Sequence, residues 1–272
     1  FPATVVGDVS LMSSFTPRMV EAFVTYTKGL FGHTWTHFPE VQSLTETADF
    51  IGNTDFGSFA RQTQIRYTQG NWQFSAENPE TTVTPFQGGS RIVTDDNSLP
   101  DFVGRYNYTN SSLNMSFALL ARQLSYNDGQ TVDSTTTSLG FSITGKWQIG
   151  NDDLRFGLNS GSGMGRYIGL NVSNGAVLNG NDELEAIDST AYYAAYRHFW
   201  STKLRSTFLV SAIDIDNETA LTGDTAIDKT QSIRANIFYS LSKNMSIGGE
   251  ISKALKKLEN GVDGKMSRAQ FT

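Results

Sequence analysis

The chain has no cysteine among its 272 residues, so neither disulfides nor thiolate metal ligands hold it together, and cysteine usage leaves its compartment open. Proline is scarce, at six residues, which leaves long stretches free to pair as strands. The three histidines, His33, His37 and His198, lack metal-ligand spacing, and no G-x-S-x-G elbow or phosphate loop is present. No run approaches the roughly 18 consecutive apolar residues of a membrane-spanning helix. A hydrophobic share of 38% and a mean hydropathy of −0.30 are low for an α/β enzyme of this length. They do not exclude a membrane-spanning barrel, because only one face of each strand then meets lipid. The formal charge of −6 speaks against nucleic acid as a partner. Phe1 is no initiator methionine and no basic, apolar export signal opens the chain, which reads as a mature or trimmed product.

What the chain does have is alternation. From Ser138 to Gly150, Leu139, Phe141, Ile143, Trp147 and Ile149 fall on one face, and Ser138, Ser142, Thr144, Lys146 and Gln148 on the other. Ser112–Arg122 and Lys229–Ser242 repeat the pattern. The period is two, so a helix built from these residues would have no apolar stripe. Segments of about ten residues with one apolar face are the mark of an antiparallel, up-and-down transmembrane β-barrel.

Strands are predicted at Arg18–Thr27, Gly29–Thr36, Arg61–Thr68, Asn71–Glu77, Asp101–Thr109, Ser112–Tyr126, Thr135–Gly150, Asp153–Ser160, Ser189–Phe199, Lys203–Asp214, Lys229–Ser242, Met245–Ala254 and from Gly264 to the end. Their connections are alternately tight, as at Lys28-Gly29, Gln69-Gly70-Asn71 and Gly150-Asn151-Asp152, and long, as at His37–Ala60, Asn78–Pro100 and Gly161–Asp188. Such asymmetry suits a barrel with short periplasmic turns and long external loops, and it places the protein in the cell outer membrane. The strand count is odd where single-chain barrels close with an even one, so Val5–Met12 is a candidate extra strand and further N-terminal strands are expected upstream. Residues 1–272 are read as one barrel domain lacking some N-terminal strands and the extreme C-terminus.

Gly32-His33-Thr34-Trp35-Thr36-His37-Phe38, then Leu44-Thr45-Glu46-Thr47-Ala48-Asp49-Phe50, then Ala60-Arg61-Gln62-Thr63-Gln64-Ile65-Arg66-Tyr67 resemble the DcaP-like porin family of Gram-negative bacteria. Trp72, Phe74 and Glu77-Asn78-Pro79 extend the resemblance, which is specific over Gly29–Pro79 and general beyond. His33 stands where the family commonly has Gln, and a terminal aromatic residue is missing. The resemblance implies a homotrimeric barrel, taken as sixteen-stranded, that admits small anionic solutes such as dicarboxylates.

Alternation puts Arg66, Arg105, Arg122, Lys146, Arg155, Arg197, Lys203, Arg205 and Arg234 on the water-filled side, opposed there by Glu21, Glu77 and Glu250. The other acids gather in loops, as at Asp95, Asp96 and Asp182–Glu185. A lipid-facing Arg near the bilayer midplane costs about 2–4 kcal/mol, which is why these side chains are expected to line a lumen. Arg61, Arg66, Arg105 and Arg122 are the expected constriction set, next to the Leu44–Asp55 loop, which is expected to fold inward. Guanidinium groups in a narrow pore concentrate anions and hold carboxylates. No cofactor, metal or catalytic residue is expected. Partners are small anionic solutes, lipid and lipopolysaccharide. The acidic run Asn179–Glu185 lacks EF-hand spacing and reads as a solvated loop. The alternatives are a barrel acting through its loops as adhesin or receptor, an outer-membrane enzyme using His198, and a soluble all-β lectin-like protein.

Overall fold

A computed structural model of the chain describes residues 3–9, 17–38, 43–49, 52–57 and 60–272. Phe50 of the family-like motif and the end of the Val5–Met12 segment lie outside the described residues. The strands, in chain order, are β1 (Ala3–Val9), β2 (Pro17–Tyr26), β3 (Gly29–Trp35), β4 (Arg61–Gln69), β5 (Trp72–Glu77), β6 (Thr81–Thr84), β7 (Ile92–Thr94), β8 (Asp101–Thr109) and β9 (Leu113–Asn127). They continue as β10 (Asp133–Ile149), β11 (Asp152–Ser162), β12 (Ala176–Leu178), β13 (Leu184–Ala186), β14 (Asp188–Phe199), β15 (Leu204–Asp216), β16 (Ile227–Ser242), β17 (Met245–Leu258) and β18 (Asp263–Phe271).

Fourteen of them form one antiparallel sheet in which each strand pairs with the next, in the order β1-β2-β3-β4-β5-β8-β9-β10-β11-β14-β15-β16-β17-β18. The thirteen strands expected from sequence are all present, and β1 adds the one that Val5–Met12 offered. The tight turns fall at one end; Gly70 and Gly150 supply the positive φ there, 58° and 61°. The long connections fall at the other. Two of them carry the short strands β6, β7, β12 and β13, which join in a four-stranded sheet of their own.

The burial pattern inverts that of a water-soluble protein. Leu119, Leu139 and Ile251 are 69%, 67% and 65% exposed, whereas Arg122, Arg234, Asp101, Asp153 and Glu250 are buried. An uncovered band of large apolar side chains on a sheet whose other face holds buried charge is stable only with hydrocarbon outside. Trp72 packs on Tyr106 with ring centroids 4.8 Å apart, and with Trp147, Trp200 and Tyr239 it rings the tight-turn end, as interfacial aromatics do. Tyr126 packs against the buried cluster of Val83, Leu124 and Ala176.

Inside, the long connections fold back on the wall. Phe38 and Phe56 from the β3–β4 connection, and Met164, Tyr167 and Ile168 from the β11–β12 connection, pack against Val103, Leu120, Leu209 and Ile213 of the inner face. The wall makes room for them with glycine: a Cβ at Gly157 would lie 2.5 Å from the Phe56 ring, and one at Gly140 2.1 Å from Met164 Sδ.

Candidate pore and its inserted loop

Residues 43–49 and 52–57, following β3, reach across the interior to β11 and β14–β18. Tyr193 Oη donates to Ser43 O at 2.8 Å, and Arg155 donates to Leu44 O. Glu46 receives Arg205 in a two-pronged pair, Nε at 2.6 Å and Nη2 at 2.5 Å, while Asn236 Nδ2 donates to Glu46 O at 3.0 Å. The Ala48 amide donates to Glu250 Oε2 at 3.1 Å, and Gln270 donates to Ala48 O at 2.8 Å. Asp49 lies 3.2 Å from Arg234 Nη1 and 2.9 Å from Arg268 Nη1. Asp55 is the deepest anchor: Thr230 Oγ1 donates at 2.6 Å, Ser211 Oγ at 2.7 Å, and Ser232 Oγ completes the set. Carboxylates holding several donors make the strong class of hydrogen bond, so the loop is clamped to the far wall.

This clamp changes the charge balance expected of the lumen. Arg205 and Arg234 face inward as alternation requires, but loop acids and Glu250 neutralise them. Arg155 and Arg197 also face inward and share one buried carboxylate, Asp153, at 2.8 and 2.5 Å. Arg122 Nε lies 3.1 Å from Asp101, and its other nitrogens donate to Gly163 O at 2.9 Å and Glu80 O at 2.6 Å, so it supports the inner cap. Asp101 further accepts from Tyr167 Oη at 2.8 Å and lies 3.6 Å from Arg166. Full burial beside Glu77 and Asp101 pushes the Tyr167 hydroxyl well above its ordinary pKa, which keeps it a donor. Asp101, Asp153, Glu46, Asp49 and Asp55 therefore join Glu21, Glu77 and Glu250 as interior acids. Asp101 and Asp153 were readable, since they share inward parity with Arg105 and Arg155; the three loop acids were not.

Two further expectations need correction. Arg61 lies on the outward face of β4 with Ile65 and Tyr67, its guanidinium 4.5 Å above the Trp35 ring, because positions 62, 64 and 66 are the ones that face inward. Lys203 is exposed in the turn between β14 and β15. Neither lines the interior.

The remaining cations share one wall. Arg66 Nη2 donates to Trp35 O at 2.7 Å, and Arg105 Nη1 to His37 O at 2.9 Å. His37 Nδ1 lies 3.1 Å from Ser75 Oγ and 3.3 Å from Glu77. Burial holds the His37 pKa below the ordinary histidine value, with the nearby Arg66 and Arg105 acting in the same direction and Glu77 against it. Below this level a polar cavity of 460 Å³ is lined by Arg105, Lys146, Gln73, Asn107, Asn114 and Ser116 among others, with no carboxylate in its lining. Lys146 has no hydrogen-bond or ion-pair partner among the described residues.

Among the described residues no group of three or more metal-ligating side chains converges. The Asn179–Glu185 run is a tight hairpin in which Asn179 Oδ1 accepts the Asn181 and Glu183 amides. His198 bonds Asp152 at 2.8 Å and lies edge-on to Trp200 at the rim, while Ser201 Oγ accepts turn amides.

An antiparallel meander with an apolar outside, a charged inside and a long loop clamped across the interior is an outer-membrane β-barrel of the porin type, and the cell outer membrane is where such a protein resides. No protein-family model and no curated protein matches the sequence. Among solved structures, the chain is similar to the outer membrane channel DcaP of Acinetobacter baumannii, with 21% identity over 99% of this chain and 78% of that one, at a TM-score of 0.85. It is also similar to the trimer form of OmpT, an outer membrane protein of Vibrio cholerae, with 12% identity over 99% and 82% of the two chains and a TM-score of 0.57. An anion-selective porin from Comamonas acidovorans follows, with 11% identity over 93% and 75% and a TM-score of 0.53. At these identities the similarity is one of fold.

Proposed function

We propose that the protein is a passive porin that prefers anions, passes small solutes such as dicarboxylates down their gradients, catalyses no reaction and works as a homotrimer. The observation that carries the reading is the cavity lined by Arg105 and Lys146 without a carboxylate. Most other inward cations are neutralised by Asp101, Asp153, Glu46, Asp49 or Glu250, so net positive potential concentrates on the β8–β10 wall. There a solute carboxylate meets the Lys146 ammonium beside the Arg105 guanidinium, which itself donates to His37 O and Asn107 Oδ1, with Gln73 and Asn114 replacing part of its water. Exposure of the ammonium to water keeps binding weak enough for release, which conduction requires. The similar fold of a porin that is anion-selective, and of an outer membrane protein in trimer form, supports the reading. Long connections turned inward rather than outward favour a filter over an adhesin. Reversal potentials across a planar bilayer under a salt gradient test it: an anion preference that falls in Lys146→Glu is expected, and cation preference in the wild type refutes the anion reading while leaving the barrel intact.

A further inference from the structure

Hydroxyls that face each other across neighbouring strands bond to each other at several places in the sheet: Ser125 with Thr135 at 2.8 Å, Ser160 with Thr190 at 2.7 Å and Ser211 with Ser232 at 2.9 Å. Ser116 and Thr144 stand opposite each other in the same way on β9 and β10, both buried on the inner wall. Neither of these two hydroxyls has a hydrogen-bond partner among the described residues. An unpaired buried hydroxyl costs free energy, so this pair has to be met from the cavity that both residues line, by water or by a solute. One level nearer the tight turns, Lys146 and Asn114 are also in register, and their side chains have no partner among the described residues either.

Charge and neutral polar groups divide this cavity between them. Arg105 gives Nη1 to His37 O at 2.9 Å and Nε to Asn107 Oδ1 at 3.0 Å, whereas the Lys146 ammonium is uncommitted. Arg155, in register with Lys146 on the next strand, is already matched by Asp153 at 2.8 Å. The other polar side chains of the lining are amides and hydroxyls. A dicarboxylate therefore finds the free ammonium for one end only, and its methylene chain leaves Ser116 and Thr144 unmet. A molecule with one carboxylate and a hydroxylated chain meets both levels, which lie two residues apart along the strands, or ~7 Å, about the length of five or six carbons. A site built to hydrogen-bond a hydroxyl discriminates sharply against the analogue that lacks it, because its own polar groups are then left unpaired.

We propose that the cavity selects sugar acids, hydroxylated monocarboxylates of five or six carbons, with the carboxylate on Lys146 and Asn114 and chain hydroxyls on Ser116 and Thr144. The proposal rests on the anion reading of this cavity and narrows it: dicarboxylates still pass, held at one end. The test is single-channel recording of the full chain in a planar bilayer, with glucuronate, succinate and glucose added in turn at equal concentration. Glucuronate should interrupt the current for longer than either of the others. Ser116→Ala combined with Thr144→Val, which removes both hydroxyls at little change in volume, should lower the ratio of glucuronate to succinate dwell times by about fivefold for each hydrogen bond lost. Lys146→Gln should shorten the interruptions by both acids. Equal dwell times for the two acids in the wild type overturn the proposal, and so does an unchanged ratio in a double variant whose conductance shows that the barrel has folded. Reversal potentials recorded on the same channels separate the two readings. Equal dwell times with anion preference retained defeat the sugar-acid assignment alone, whereas a cation-selective wild type that glucose interrupts as long as glucuronate defeats both.

Discussion

Asp55→Ala isolates the clamp that narrows the interior. The native carboxylate accepts three hydroxyls from the far wall, Thr230 at 2.6 Å, Ser211 at 2.7 Å and Ser232. A hydrogen bond to a charged group contributes about 1.5 kcal/mol at the low end, so losing all three, which share one carboxylate and add to less than their sum, weakens docking of the loop by about 4 kcal/mol. That lowers the ratio of docked to undocked loop by about a thousandfold. Ser43, Glu46 and Ala48 still hold the preceding residues, so the released part is the segment carrying Phe56. Single-channel recording should show a larger, noisier conductance in Asp55→Ala and a smaller change in Asp55→Asn, which keeps one acceptor oxygen. Heat-modifiable mobility in gels checks that the barrel itself has folded. Wild-type conductance and noise in a properly folded Asp55→Ala protein would refute the assignment of this loop as the constriction.

Arg122→Ala leaves the buried Asp101 without its closest cation and should cost about 3–5 kcal/mol, read as a lower thermal unfolding temperature in detergent; adding Asp101→Asn should recover part of the loss. Leu139→Arg, on the outward face, should lower the stability of the barrel folded into lipid vesicles by about 2–4 kcal/mol if it lies near the midplane, whereas inward Asn114→Arg should not. Gly157→Ala should loosen the loop by displacing Phe56, raising conductance noise without unfolding the barrel. Because the folded His37 pKa is below its ordinary value of 6.5, its contribution to stability is complete above pH 6.5 and is lost as pH falls through the folded value; His37→Gln should flatten that part of the stability profile in denaturant titrations.

Strand order and facing were legible in the sequence because a barrel strand repeats every two residues and water lies on one side of it. Thr135–Gly150 was expected and Asp133–Ile149 is observed, with Leu139 and Phe141 outside and Ser138 and Thr144 inside. The same rule put Arg66, Arg105, Lys146, Arg155, Arg197, Arg205 and Arg234 on the inner face. Arg61 was expected at the constriction from its place beside the Leu44–Asp55 loop and not from alternation, and its odd separation from Arg66 agrees with the outward face it takes. The strands β6, β7, β12 and β13 went unread, since segments of three or four residues inside loops show no period of their own.

Alternation along the chain, a local property of neighbouring side chains, was enough to determine that this protein is a barrel with a polar interior. Which of its interior charges stay available to a solute was decided only by tertiary structure. Glu46 meets Arg205 and Asp55 meets Ser211 across more than 150 residues of sequence, and no periodicity can encode a contact that a folded-in loop makes with the opposite wall.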